Sequence, residues 1–99
     1  MKANEIKEIL EQKFIDERCG FRKSDIKVKG NSIQIKDYEH VTFKFRFEDD
    51  DYFGRCCYIT EKIDGDSRII TMEDSKHKTD DELLSHALIM LGYHIASRF

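Results

Sequence analysis

Basic and aromatic side chains on the predicted strands are the first candidates for a binding site. Five cations share the wet face of the sheet that the strand pattern predicts: Lys27, Lys29, Lys36, Lys44 and Arg46. Tyr52 and Tyr58 add aromatic rings on the same sheet. Cations next to aromatic rings on an open sheet hold the phosphates and stack the bases of single-stranded nucleic acids. The alternative is a solvated face, because an open antiparallel sheet needs polar residues on its wet side.

An acidic run and a small apolar patch form a second candidate surface. The run, Glu48-Asp49-Asp50-Asp51, is predicted to end a strand as a solvated loop, because adjacent carboxylates disfavour strands. The patch lies on the wet face and comprises Tyr52, Tyr58 and Ile69, with Cys56 beside them. Exposed apolar patches often mark protein interfaces, so these residues are predicted to contact a partner protein or a second copy. The alternatives are a plain turn and a patch covered by a terminus or linker.

The sequence contains no recognisable catalytic or metal-binding arrangement. Cys56 and Cys57 are adjacent on a predicted strand and point to opposite faces, so they cannot share one metal ion. His86 and His94 lie eight residues apart on a predicted helix, about 12 Å along its axis, too far for one ion. We therefore expect no metal, no cofactor and no enzymatic activity. An enzyme that uses Cys56 or Cys57 is the least favoured alternative.

Length and composition predict one soluble domain over residues 1–99. Basic residues number 17 and acidic residues 20, a net charge of -3 with the signs interspersed, whereas nucleic-acid binders are usually basic. No proline and only five glycines are present, so no flexible linker is evident. No apolar run is long enough to span a membrane, and the charged N-terminus does not resemble a signal peptide. Three cysteines without disulfide spacing predict free thiols in the cytoplasm, without membrane contact.

Period-two alternation predicts the first three strands. Residues 41–47 alternate one valine and three phenylalanines with polar residues, the pattern of a strand with one buried face. Residues 25–37 are predicted to form a hairpin that turns at Gly30-Asn31. A two-residue loop there places all four apolar residues on one face, with the pairs Ile26–Ile35 and Val28–Ile33.

The fourth and fifth strands are predicted over residues 52–63 and 67–72. Asp64-Gly65 lies between them and is typical of a two-residue hairpin turn. This turn predicts three cross-strand pairs: Glu61–Arg68, Ile59–Ile70 and Cys57–Met72. In that register the core-facing side chains are Phe53, Cys57, Ile59 and Ile70.

Amphipathic helices are predicted at both ends of the chain. The first covers residues 4–19, with Asn4 as its N-cap and Gly20 at the C′ position. The second begins with a capping box of Thr79 and Glu82 and runs to about Arg98. Its apolar stripe comprises Leu84, Ala87, Leu88, Leu91 and Ile95, widened by Leu83 and Met90. Gly92 within this helix suggests close packing at that position.

These elements predict an α+β fold of order α-β-β-β-β-β-α. Short connections favour a five-stranded antiparallel meander, and both helices need the one apolar face of that sheet, which gives two layers. The function favoured by these features is a small non-enzymatic protein-binding module that regulates or inhibits a larger partner, with homodimerisation as a further expectation. The alternative is nucleic-acid binding by the lysine-rich face. Frequent isoleucine and lysine suggest an AT-rich bacterial genome, a phage or another mobile element as the source.

Overall fold

Two α-helices, a short 3-10 helix (Lys23–Asp25) and one five-stranded sheet make up the structure, a computed structural model that describes residues 1–98. Helix α1 spans Ala3–Asp16 and helix α2 spans Asp80–Ala96. The strands are β1 (Ile26–Lys29), β2 (Ser32–Ile35), β3 (Val41–Asp50), β4 (Gly54–Ile63) and β5 (Asp66–Ser75). They lie in sequence order, and each is antiparallel to the next. The predicted α+β meander is confirmed.

Both helices pack against the same face of the sheet and enclose the core. Helix α1 contacts α2 and β1, whereas α2 contacts β4 and β5. The buried residues of the core include Ile6, Leu10, Phe14, Ile33, Ile35, Phe43, Ile59, Leu84, Leu88 and Leu91. Neither helix covers the opposite face of the sheet. That uncovered surface is called the open face below.

The β1–β2 and β4–β5 hairpins differ in how well the sequence predicts their register. In the first, Ile26 lies opposite Ile35 and Val28 opposite Ile33, as predicted. In the second, Asp64 and Gly65 both have positive φ, 50° and 88°, which defines a type I′ turn. The predicted Glu61–Arg68 pair is confirmed.

A β-bulge at Ile70 shifts the rest of the second hairpin. Ile59 lies opposite Thr71 and Tyr58 opposite Met72, so the predicted pairs Ile59–Ile70 and Cys57–Met72 are wrong. The bulge inserts one residue into β5, and the side chain of Ile70 packs half-buried against the core. As a result Met72 lies on the open face instead of facing the core.

Helix α1 begins and ends differently from the prediction. Its N-cap is Lys2 and not Asn4, because the carbonyl of Lys2 already accepts the Ile6 N–H at 3.1 Å. At the other end the C′ residue is Arg18, with φ of 56°, and not Gly20. Its N–H bonds to Ile15 and the next N–H bonds to Phe14, at 3.0 and 2.7 Å, which is a Schellman motif.

Helix α2 begins at the predicted capping box and packs closely on α1. Thr79 accepts the backbone N–H of Glu82, whose carboxylate returns to the Thr79 N–H. A Cβ added at Gly92 would lie 2.5 Å from Cγ of Lys13, so the predicted close packing is confirmed. The contact is made by a lysine stem, with the ammonium over the ring of Tyr93 at 3.2 Å. Met90 is exposed and does not widen the buried stripe.

Candidate binding surface on the open face

Cross-strand pairing defines which side chains share the open face. Residues opposite each other on antiparallel strands lie on one face of a sheet. Three rows cross the strands on this face. The basic row comprises Lys29, Ser32, Lys44, Thr60 and Ile69. The next row comprises Arg46, Tyr58 and Met72, and the acidic row comprises Glu48, Cys56 and Asp74. The face therefore changes from basic through apolar to acidic along the direction of the strands.

The basic part is a concave region of about 690 Å³, called the lysine groove below. Its cationic lining is Lys27, Lys29, Lys44 and Lys62, with His40 at its side. Within residues 1–98 none of these four ammonium groups forms a salt bridge with a carboxylate. The lining also includes one carboxylate, that of Asp64, so four ammonium groups leave the groove with an excess of positive charge.

Only part of the predicted basic cluster lies in this groove. Lys27, Lys29 and Lys44 come together there, whereas Lys36 lies outside it, beside a smaller concavity near Glu39. Lys62 and His40 also line the groove and were not predicted from the sequence. Continuing the alternation of β4 from Tyr58 would have placed Lys62 on the open face, but no local signal brings His40 to the groove.

Arg46 lies next to the groove, and neighbouring groups hold it in place. Its Nε donates to the carboxylate of Glu48 at 2.9 Å, and its guanidinium carbon lies 4.7 Å from the ring centroid of Tyr58. Cation–π contact of this kind occupies one face of an aromatic ring. Tyr58 is therefore partly covered, and that face of the ring is not open to a stacked base.

The apolar part of the open face comprises Tyr58, Ile69 and Met72. Ile69 is 54% exposed and Met72 40%, and both lie on β5, the strand at the edge of the sheet. Of the predicted patch, Tyr58 and Ile69 share this face, and Cys56 is buried beneath it. Met72 was missed because its position depends on the bulge.

Tyr52 does not belong to the face. It lies in the turn at the tip of the β3–β4 hairpin and is 77% exposed, with its ring against that of Phe53 at 4.9 Å. Phe53 was predicted to face the core but is exposed, because β4 begins at Gly54, two residues later than predicted. The hairpin tip is thus a separate, aromatic projection beside the acidic end of the face.

The acidic run continues the strand instead of ending it. Glu48, Asp49 and Asp50 are the last three residues of β3, so the predicted solvated loop is wrong for all but Asp51. Cations and backbone donors offset the repulsion: Arg46 pairs with Glu48 and Arg55 with Asp49 at 3.1 Å. Asp50 accepts the backbone N–H groups of the next turn, Tyr52 and Phe53, both at 2.8 Å, and these bonds lower its pKa.

Arg55 connects the acidic end of the sheet to the start of α2. Its Nε and one terminal nitrogen donate to both carboxylate oxygens of Asp80, at 2.9 and 3.1 Å. These hydrogen bonds lower the pKa of Asp80. A bidentate arginine–carboxylate pair fixes direction as well as distance, so the acidic end is held at a defined position relative to the helix layer.

A buried charge cluster lies on the other side of the sheet, around Glu61. Its carboxylate is fully buried and contacts Arg98, Arg68 at 3.0 Å and His94 at 3.4 Å. Burial raises the pKa of Glu61. Hydrogen bonds from Arg98 and Arg68 and the nearby positive charges together lower it by more than burial raises it, so the pKa lies below its usual value. This cluster connects β4, β5 and the end of α2.

The cysteines are free thiols at positions unsuited to a shared site. Cys56 and Cys57 are buried on opposite faces of β4, and burial raises the pKa of the Cys57 thiol to about 11. Across the described residues 1–98, no three His, Cys, Asp or Glu side chains are grouped so that they could hold a metal ion. In that same range, neither helix has the length and apolarity needed to cross a membrane.

Comparison with models of known families, with curated protein sequences and with solved structures finds no match to this chain. What the protein does is therefore inferred from its own residues.

Proposed function

We propose that this protein is a small non-enzymatic module that regulates or inhibits a larger partner protein through the open face of its sheet. The observation that supports this most directly is the composition of that face. The lysine groove, the apolar residues Tyr58, Ile69 and Met72, and the acidic end of β3 lie side by side and are covered by no helix. Protein interfaces combine an apolar centre with a charged rim in this way.

The distribution of charge favours a protein over a nucleic acid. A single strand needs a basic path and free aromatic rings on which bases stack. Here Arg46 covers one face of Tyr58, and Glu48 and Asp74 lie in the next row, where they would repel phosphates. The lysine groove nevertheless supports nucleic-acid binding as a second candidate, because its four ammonium groups have no internal carboxylate partner among residues 1–98.

A catalytic role for the thiols has little support. A cysteine nucleophile acts as the thiolate, and a pKa of about 11 keeps Cys57 protonated near neutral pH. The three free cysteines fit a reducing compartment, so the proposal places the protein in the cytoplasm.

Paired charge reversals on and off the groove test the proposal. Tagged wild-type protein should capture a stoichiometric partner from a lysate of its source cells after nuclease treatment. K27E/K44E should weaken the affinity for that purified partner at least about tenfold, because it replaces two unpaired cations of the face by anions. K76E/K78E makes the same change of charge between β5 and α2 and should bind as wild type does.

Three other binding results would change or contradict the proposal. Capture that nuclease abolishes, with an affinity for single-stranded nucleic acid that falls steeply with salt, would replace the protein partner by nucleic acid. Equal loss in K27E/K44E and K76E/K78E would show dependence on net charge alone. Unchanged binding by K27E/K44E would contradict a role for the groove.

A further inference from the structure

The two edges of the sheet differ in how they meet solvent. Strand β1 has four residues and carries Lys27 and Lys29, two features that protect an edge from pairing with another chain. Strand β5 has ten residues, and its exposed side chains include Ile69 and Met72. A long edge with exposed apolar residues can be a template for a further strand. Because β5 also carries charges and a bulge, which oppose an unmatched strand, its partner must match both.

The bulge gives β5 a symmetric arrangement of faces. Pairing with β4 places Ser67, Ile69, Met72 and Asp74 on the open face. The same pairing places Asp66, Arg68, Thr71, Glu73 and Ser75 on the helix side, together with the bulged Ile70. The pattern is the same in both directions from the midpoint between Ile70 and Thr71. A strand with this symmetric order of faces can pair antiparallel with a copy of itself. Each residue of one copy then lies opposite a residue of the other copy that is on the same face of the joined sheet.

We propose that β5 pairs with β5 of a second copy about a two-fold axis at that midpoint. Ile69 then lies opposite Met72 of the partner subunit, and the contact occurs twice. On the helix side Arg68 lies opposite the partner's Glu73, also twice. Isologous contacts of this kind form closed two-fold dimers.

Charge and face exclude the neighbouring registers. Sliding one strand by two residues in one direction places Asp66 opposite Glu73, two like charges. Sliding it by two in the other direction places Ile69 opposite Asp74. Both shifts also mismatch the faces at the bulge. The first places Ile69 of the open face opposite the partner's Ile70 of the helix side, and the second places Thr71 of the helix side opposite the partner's Met72 of the open face. One-residue shifts mismatch the faces along the rest of the strand.

Arg68 is able to make the second contact without leaving the first. Its Nε donates to Glu61 at 3.1 Å and one terminal nitrogen lies 3.0 Å from the same oxygen, while the side chain stays 66% exposed. A guanidinium has five N–H donors, so further donors remain for Glu73 of the partner subunit. The resulting dimer has one ten-stranded sheet, and its two open faces are continuous. This inference does not rest on the proposed function.

Sedimentation equilibrium of the purified full chain tests the pairing. The wild type should dimerise reversibly, and I69K should weaken the dimer about tenfold or more, because a lysine then opposes Met72 of the partner subunit at both contacts. I69K/M72E should restore the dimer, since it opposes lysine and glutamate twice. I15K makes the same substitution at an exposed isoleucine of α1, away from β5, and should dimerise as wild type does. A monomeric wild type, or I69K that dimerises equally well, would overturn the proposal.

Disulfide trapping tests the register itself. With oxidised glutathione as the oxidant, I69C/M72C should form a covalent dimer, because the two positions are opposed across the axis. I69C and M72C alone should not, since each position lies several residues from its own copy. I69C/D74C is the matched control for a shifted register and should remain monomeric on a non-reducing gel. Equal trapping of both double variants would show that β5 does not pair in the proposed register.

Discussion

Arg98→Ala is expected to lower the free energy of unfolding by about 2–3 kcal/mol, a large effect for a residue near the chain end. Arg98 lies in the turn after α2, contacts Glu61, and has a side chain that is three-quarters buried. Its removal leaves a fully buried carboxylate with fewer compensating charges, and broken buried ion pairs are costly for that reason. Urea denaturation of the variant and the wild type at pH 7 measures the difference.

Two further variants identify the cause. Arg68 contacts the same carboxylate but is mostly exposed, so Arg68→Ala should cost less than about 1 kcal/mol. E61L/R98A removes both charges of the buried pair and should recover most of the loss, because no uncompensated carboxylate remains. If Arg98→Ala and Arg68→Ala cost the same, the buried carboxylate does not depend on Arg98.

The effect of Arg98→Ala should also depend on pH. The pKa of Glu61 is lower in the folded chain than in the unfolded one, so its ionised form stabilises the fold above the unfolded value of about 4.3. That stabilisation disappears as the pH falls through the folded pKa. Loss of Arg98 lessens the depression of the pKa. The cost of Arg98→Ala should therefore be largest near pH 7 and shrink as the pH falls below about 4, and a cost that is constant with pH would contradict this.

Phe43→Ala is the second variant with a large expected effect, about 3–5 kcal/mol. Phe43 is 1% exposed at the centre of the core, and removal of its ring leaves a cavity that the surrounding side chains cannot fill. Urea denaturation measures the loss. An unchanged m-value would show that the folded and unfolded states remain comparable.

Phe47 is the matched control on the same strand and the same face. It lies beyond the well-covered part of the sheet and is half-buried, next to Phe45 and under Arg55 at 5.5 Å. Phe47→Ala should therefore cost less than half as much as Phe43→Ala. Equal costs would mean that the core extends to the end of β3.

The sequence predicted the fold well because its strongest signals are local. Alternation in residues 41–47, the turn at Asp64-Gly65 and the capping box of Thr79 and Glu82 each act over a few residues. Those signals define the element types, and short connections then leave an antiparallel meander as the simplest arrangement. The register of the first hairpin follows from the same local pattern.

The candidate site was predicted only in part because it depends on distant pairing. Alternation places Lys27, Lys29 and Lys44 on one face, but the groove also takes Lys62 and His40 from other strands and loops. The acidic run was predicted to be a loop because adjacent carboxylates disfavour strands. Arg46 and Arg55 supply the neutralising contacts that let the strand continue to Asp50.

The sequence by itself determined the two long helices, the five strands, their order and the buried face of the first three strands. Only the tertiary structure decided the bulge at Ile70, the Glu61 cluster and the form of the open face. The physical reason is the range of the interactions. Propensity, capping and alternation act between near neighbours, whereas Arg98 and Glu61 are 37 residues apart in the chain. The bulge likewise depends on how β5 packs between β4 and α2.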